Sequence, residues 1–265
     1  MNTEVTTRER HLEVRLARTA ADRLAAQRLR YRVFVDELGA SGPSVDHANR
    51  RERDDFDDWY DHLLLVDRRR DSRDFDHVVG VYRLLRGEVA AAGPGFYSAA
   101  EYDLAPLLHT KRKLLELGRS CVAREYRGGV SMYLLWNALA AYVLRHDIEV
   151  MFGGASYHGT DPDSIAASLS YLHAHHLAPP EMRVRVRPAH YQRLDLIPPD
   201  KILRAQAMQK TPALIKAYLR LGGVIGDGAY IDRDFNTTDV CLIMDTKAMS
   251  ARHRAAYVRK SGGGG

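Results

Sequence analysis

The chain has 265 residues, with 39 Lys plus Arg against 34 Asp plus Glu, 45% hydrophobic residues, 8% aromatics and 2 Cys. Collagenous, disulfide-stapled and wholly disordered classes are excluded, leaving an ordinary globular protein. A formal net charge of +5 is too small a surplus for a dedicated polyanion binder, so local positive patches are expected and no nucleic-acid partner.

Both cysteines stand alone, Cys121 in LGRSCVA and Cys241 in TTDVCLIMD, among strand-forming residues and outside any CxxC pattern. Buried structural thiols in a reducing cytoplasm are the expectation. The opening MNTEVTTRERHLEVRLA lacks the apolar core of a secretory signal. No stretch approaches the ~20 apolar residues of a bilayer span. Peripheral contact with an anionic inner-membrane face stays open, because it needs only a basic or amphipathic surface. SGGGG at 261–265 reads as a flexible tail, leaving 1–260 as one domain.

In chain order, residues 12–16 alternate like a short strand, and Thr19 is placed to cap a helix through ADRLAAQRLRYRVFVDEL that Gly39 ends. SGPSVDHANRRER has no periodicity and reads as an extended loop of the kind that serves a site. DHLLLVDR (61–68) and HVVGVYRLLR (77–86) form a hairpin by composition, 87–109 is small and irregular, and LLELGRSCVA (114–123) is a central strand. A charged glycine-containing turn, REYRGG, then leads into an apolar helix over 130–147. VMFGGAS is a further strand, and PDSIAASLSYLHAHHL is a helix with Asp161 as cap. MRVRVRP reads as a two-faced strand, TPALIKAYLRLGG as a helix ended by glycine, and 230–245 as a terminal hairpin. The order predicts an α/β fold with a mixed, twisted central sheet and helices on both faces.

The unit from Leu114 to Ser156 is strand, glycine turn, helix, strand. A glycine-led helix start exposes unpaired N–H groups and the positive end of the dipole, which suits a phosphate, and Arg124 and Arg127 add charge beside Gly128 and Gly129. A tight connection with solvated arginines is the alternative. This unit resembles the acyl-CoA-binding core of GCN5-related N-acetyltransferases, whose turn holds the pyrophosphate of a pantetheine carrier. In that family Gln or Arg precedes a Gly-x-Gly/Ala pair by three positions, whereas Tyr126 here precedes Gly129 and Ser131. A donor on acyl carrier protein presents a single phosphate and suits a degenerate turn.

Arg83, Glu116 and Arg119 interrupt segments that otherwise read as buried strands, where an unpaired charge costs several kcal/mol. They are expected to be paired or at a cleft. With Arg30 and Phe34 four apart on the first helix, and Glu52, Asp54 and Asp57 in an E-x-D-x-x-D segment, the set resembles the acyl-homoserine-lactone synthases. The position six after the phenylalanine, tryptophan in those enzymes, is Ala40. Over most of 25–245 the blocks RYRVFVDELG, FDDWYDHLLLVD, ELGRSCVAREYR, FGGASYHGTDP and TPALIKAYLRLGGVIGDGAYIDRDFNTTDV are similar to the L-ornithine Nα-acyltransferases of bacterial ornithine-lipid synthesis.

That resemblance implies transfer of a 3-hydroxyacyl group from the 4′-phosphopantetheine of acyl carrier protein to the α-amine of ornithine, without a tightly bound cofactor. Lactone synthesis, acylation of another amino acid such as glycine or lysine, and a non-catalytic basic module binding membranes or nucleic acid are the alternatives. An ammonium must lose a proton before attacking a thioester, and Glu116 beside Arg119 is the candidate base, with a structural pair as its rival. Asp54 and Asp57 suit the side-chain ammonium, and Arg30 or Arg83 the carboxylate. Arg124, Arg127, Gly128 and Gly129 are the candidate carrier-phosphate residues. Arg183, Arg185 and Arg187 on one strand face either dock an acidic carrier or anionic headgroups or protect a sheet edge. His173, His175 and His176 crowd a helix end without metal-ligand spacing, so no metal is expected, and His158 on a loop is a minor base alternative.

Overall fold

The computed structural model describes residues 11–247; the opening ten residues and the SGGGG tail lie outside the described residues. In chain order the elements are β1 (Leu12–Leu16), α1 (Ala20–Arg30), a π-helix (Tyr31–Glu37), β2 (Val45–Asp46), β3 (Arg51–Glu52), β4 (Asp61–Asp67), β5 (Val78–Arg86) and α2 (Gly87–Ala92). Next come β6 (Tyr102–Asp103), α3 (Ala105–His109), β7 (Leu114–Val122), α4 (Gly129–Arg145), β8 (Val150–His158), α5 (Ala166–His176) and β9 (Arg185–Val186). The chain finishes with α6 (Arg204–Lys210), α7 (Ala213–Arg220), β10 (Val224–Asp232) and β11 (Thr237–Asp245). Among the described residues these form two units, one of 11–85 with 117–146, the other of 86–116 with 147–247. Each is assembled from separated stretches, which is why composition along the chain shows no break.

In the first unit β1 runs antiparallel to β4, and β4 antiparallel to β5. Thr19 caps α1 as expected, its hydroxyl accepting from the Asp22 N–H. Asp22 also takes a two-point grip from Arg15 at 2.6 and 2.9 Å, and this guanidinium holds its carboxyl well below the usual carboxylate range. Ala25, Ala26 and Leu29 of α1, Leu63–Val66 of β4 and Leu135 and Leu139 of α4 supply buried apolar surface. Gly80 of β5 lets α4 approach closely: a Cβ there would sit 3.0 Å from Leu65 Cβ and 3.3 Å from Leu135 Cδ1.

The helix does not run on in α geometry after Arg30 but widens into the π-helix. Its side chains are tied at several points: Tyr31 to His47, Arg32 to Asp76 and Glu37 to Arg127. Local periodicity carries no trace of such tertiary ties, so sequence patterning reads a plain α-helix. Gly39 ends the segment at φ +76°, its N–H bonded to the Val35 carbonyl, as expected. The loop expected over 40–53 contains the small ribbon β2–β3, with Val45 opposite Glu52.

In the second unit β8, β11, β10, β9 and β6 lie in that order. β8/β11, β10/β11 and β6/β9 are antiparallel, β9/β10 is parallel, and Leu114–Glu116 of β7 runs parallel to Val150–Phe152 of β8. The α/β class with a mixed sheet is therefore as expected. Residues 87–109, expected to be irregular, instead hold α2, β6 and α3. MRVRVRP forms a strand only over Arg185–Val186, because flanking prolines start 3-10 turns at 180 and 188. That strand is interior, paired on both sides, so the edge-protection reading is corrected. His158 closes β8 rather than lying on a loop. Both thiols are buried, and burial pushes Cys121 up to about 12 and Cys241 higher still, which suits inert structural cysteines.

Candidate active site

The sequence-selected charges of the first unit converge. β5 sets Arg83 opposite His62 of β4, and Asp54 and Asp57 of the segment after β3 pair with Arg83. Arg30, at the end of α1, is fully buried; its Nη1 and Nη2 donate to the two Asp57 carboxylate oxygens, each at 2.7 Å. Its Nε lies 2.6 Å from Glu52 Oε2, and Nη2 also donates to the Glu52 carbonyl at 2.6 Å. Asp57 further accepts from Arg83 at 2.8 Å and from Gln27 at 2.9 Å. Arg83 reaches Asp54 at 2.6 Å and stacks over Tyr60 at 4.4 Å.

Burial opposes the charge on both Arg30 and Asp57, but the pairing outweighs it. Arg30 is raised above its ordinary value by Glu52 and Asp57, and Asp57 lies far below the carboxylate range because of Arg30 and Arg83. The same burial, reinforced by Arg30, lowers His62 to about 4, so it sits neutral with Nε2 2.9 Å from the Asp57 carbonyl oxygen.

The outer side is looser. Arg119 Nε lies 3.2 Å from Glu52 Oε1 and Nη2 lies 3.3 Å from Asp54 Oδ2. Their side chains keep 12% and 15% of their surface, where Arg30 and Glu52 keep none. Arg119 adopts φ +50° in mid-strand, a conformation that L side chains rarely take. Such strain costs of order 1–3 kcal/mol and persists where the surroundings impose it, commonly at functional sites.

The other candidates fall elsewhere. Phe34 is half-buried within the π-helix. Arg127, in the turn before α4, is gripped by Glu37 at 2.5 and 2.7 Å and donates to the Val122 carbonyl, while Arg124 is exposed. Gly128 caps α4 and Gly129 begins it, with no acidic residue in the first turn. Tyr126 anchors that turn by donating to Asp67 at 2.6 Å and accepting from Arg70 at 3.0 Å. In the second unit Glu116 is 1% exposed and accepts from the Tyr97 N–H at 2.9 Å, the Ser98 N–H at 2.7 Å and the Ser98 hydroxyl. Sequence reasoning missed Gln27, Tyr60, His62, Ser98 and Tyr126 as partners. Only Gln27, three residues before Arg30 on the same helix, carried a positional signal.

An acetyltransferase (GNAT) domain model matches residues 29–137. An L-ornithine N(alpha)-acyltransferase of Rhodobacter capsulatus is 55% identical over 96% of this chain and 97% of its own length. The chain belongs to the L-ornithine N(alpha)-acyltransferase family. A Brucella abortus protein of the same name is 46% identical over 93% of this chain and 88% of its own. An N-acyl amino acid synthase from uncultured soil microbes has a like fold, with a TM-score of 0.51, 11% identity and coverage of 90% of this chain and 93% of that one. The protein is thus an acyltransferase with a GNAT fold, and the non-catalytic module is set aside. Among the described residues, no helix is long and apolar enough to cross a membrane.

Proposed function

We propose that this acyltransferase moves a 3-hydroxyacyl group from acyl carrier protein to the α-amine of L-ornithine, giving lyso-ornithine lipid. Near full-length likeness to enzymes named for ornithine supports the acceptor. The observation that carries the site assignment is the looser edge where Arg119 meets Asp54. Ornithine brings two ammonium groups and one carboxylate. It needs an anion and a cation a few ångströms apart; Asp54 offers the first and Arg119 the second. Arg30, Asp57 and Arg83 hold this edge from behind.

The free amine attacks the thioester carbonyl, the N–C bond forms, the C–S bond breaks and the carrier thiol leaves. Water takes the ammonium proton, because Glu116 is closed off by three donors and serves to pin Tyr97 and Ser98 to β7. Arg124 with the Gly128–Gly129 start of α4 receives the single phosphate of the carried pantetheine, and Arg127 braces the turn through Glu37.

Incubation with 3-hydroxyacyl carrier protein and a panel of amino acids, read by mass spectrometry, tests this. The expected product is ornithine acylated on its α-nitrogen. No N-acyl product, preference for glycine or lysine, or methylthioadenosine released from adenosylmethionine would overturn it.

A further inference from the structure

Most strongly basic side chains of the described residues are neutralised inside the chain: Arg15 by Asp22, Arg112 by Asp245, Arg193 by Asp195, and the network of Arg30, Arg83 and Arg119 by three carboxylates. Arg183 and Arg187 are committed to the Ala178 and Ala99 carbonyls, and Arg185 to Asp227 and the Tyr191 ring. One stretch departs from this. From Pro198 to Leu221 the chain carries Lys201, Arg204, Lys210, Lys216 and Arg220 against a single acid, Asp200. Among the described residues none of these five forms an ion pair, and all but Lys216 are exposed.

Within it, Leu203 is 66% exposed, more than any other exposed large apolar side chain among the described residues, and it stands between Lys201 and Arg204. On α6 only Ala207 is buried, while Arg204, Ala205, Gln206, Gln209 and Lys210 face solvent. A projecting leucine flanked by unneutralised cations matches the two layers of an anionic bilayer surface, charge outside and acyl chain beneath. We propose that the Lys201–Lys210 segment docks the enzyme on anionic lipid. An acidic protein would need a pocket placed for Leu203 within its charged face, whereas a bilayer supplies an apolar layer beneath its headgroups everywhere. The inference stands on this surface alone and does not require ornithine as acceptor.

The test is co-sedimentation of the full chain with mixed phosphatidylglycerol/phosphatidylcholine vesicles and with phosphatidylcholine alone. Binding is expected to the anionic vesicles only, weakening as salt is raised. Combined K201E, R204E and K210E should reduce it at least about tenfold, and L203S several-fold with every charge kept, both with unchanged kcat on soluble acyl carrier protein. No binding by the unaltered protein, or binding unaffected by both sets of changes, overturns the proposal. Unchanged vesicle binding with a raised KM for acyl carrier protein would assign the surface to that partner instead.

Discussion

Arg30 and Arg119 carry the same guanidinium and share the Glu52 carboxylate, yet they occupy opposite halves of one network. Arg30 is sealed, with contacts of 2.6–2.7 Å. Arg119 is held at 3.2–3.3 Å, keeps some exposure and sits on a left-handed backbone. The difference separates charges that build a site from charges placed to use it. A buried pair contributes little against an apolar replacement but is costly to break, so it acts as a scaffold. A strained, partly open pair gives up less when a ligand takes its place.

The inner half should dominate stability. Asp57→Ala leaves Arg30 and Arg83 short of a shared anion, and urea unfolding is expected to show a loss of about 3–5 kcal/mol. A loss below 1 kcal/mol would erase the distinction between the halves.

His62 sharpens it through pH. Its lowered value of about 4 means the folded chain refuses a proton that the unfolded chain accepts near 6.5. Stability is therefore full above about 6.5 and falls as pH drops toward 4, by about 3 kcal/mol. Asp57, depressed by its arginines, loses its contribution only below the ordinary carboxylate range, so the two windows separate. Burial lowers His77 and His176 as well, so in His62→Gln the decline between pH 6.5 and 4 should shrink markedly and leave only their smaller share.

A smaller effect is expected at Glu116. If it only holds Tyr97 and Ser98, Glu116→Gln costs about 1–3 kcal/mol of stability and leaves kcat within a few-fold. A thousandfold fall in kcat with unchanged unfolding would return it to the role of base.

Much of this was legible in the residues. Arg83, Glu116 and Arg119 inside apolar strand patterns had to be paired or at a cleft; Arg83 and Arg119 meet Glu52, Asp54 and Asp57 beside Arg30, while Glu116 is held by Tyr97 and Ser98. Their ranking was not legible, because burial and distance depend on how α1, the acidic segment and β5 fold onto one another. The π-helix and the positive φ of Arg119 were hidden for the same reason. In MRVRVRP the two-faced alternation holds, with Met182, Val184 and Val186 buried opposite the arginines, but the hydrogen-bond ladder is cut short by prolines.

The most direct measurement is Arg119→Gly, followed by both kinetics and unfolding. Glycine takes φ +50° without strain, so relief of the backbone offsets the lost ion pairs and stability should stay within about 1 kcal/mol. The kcat/KM for ornithine should fall at least about a hundredfold. An enzyme that keeps its activity, or one that simply unfolds, would contradict the assignment of Arg119 to the substrate.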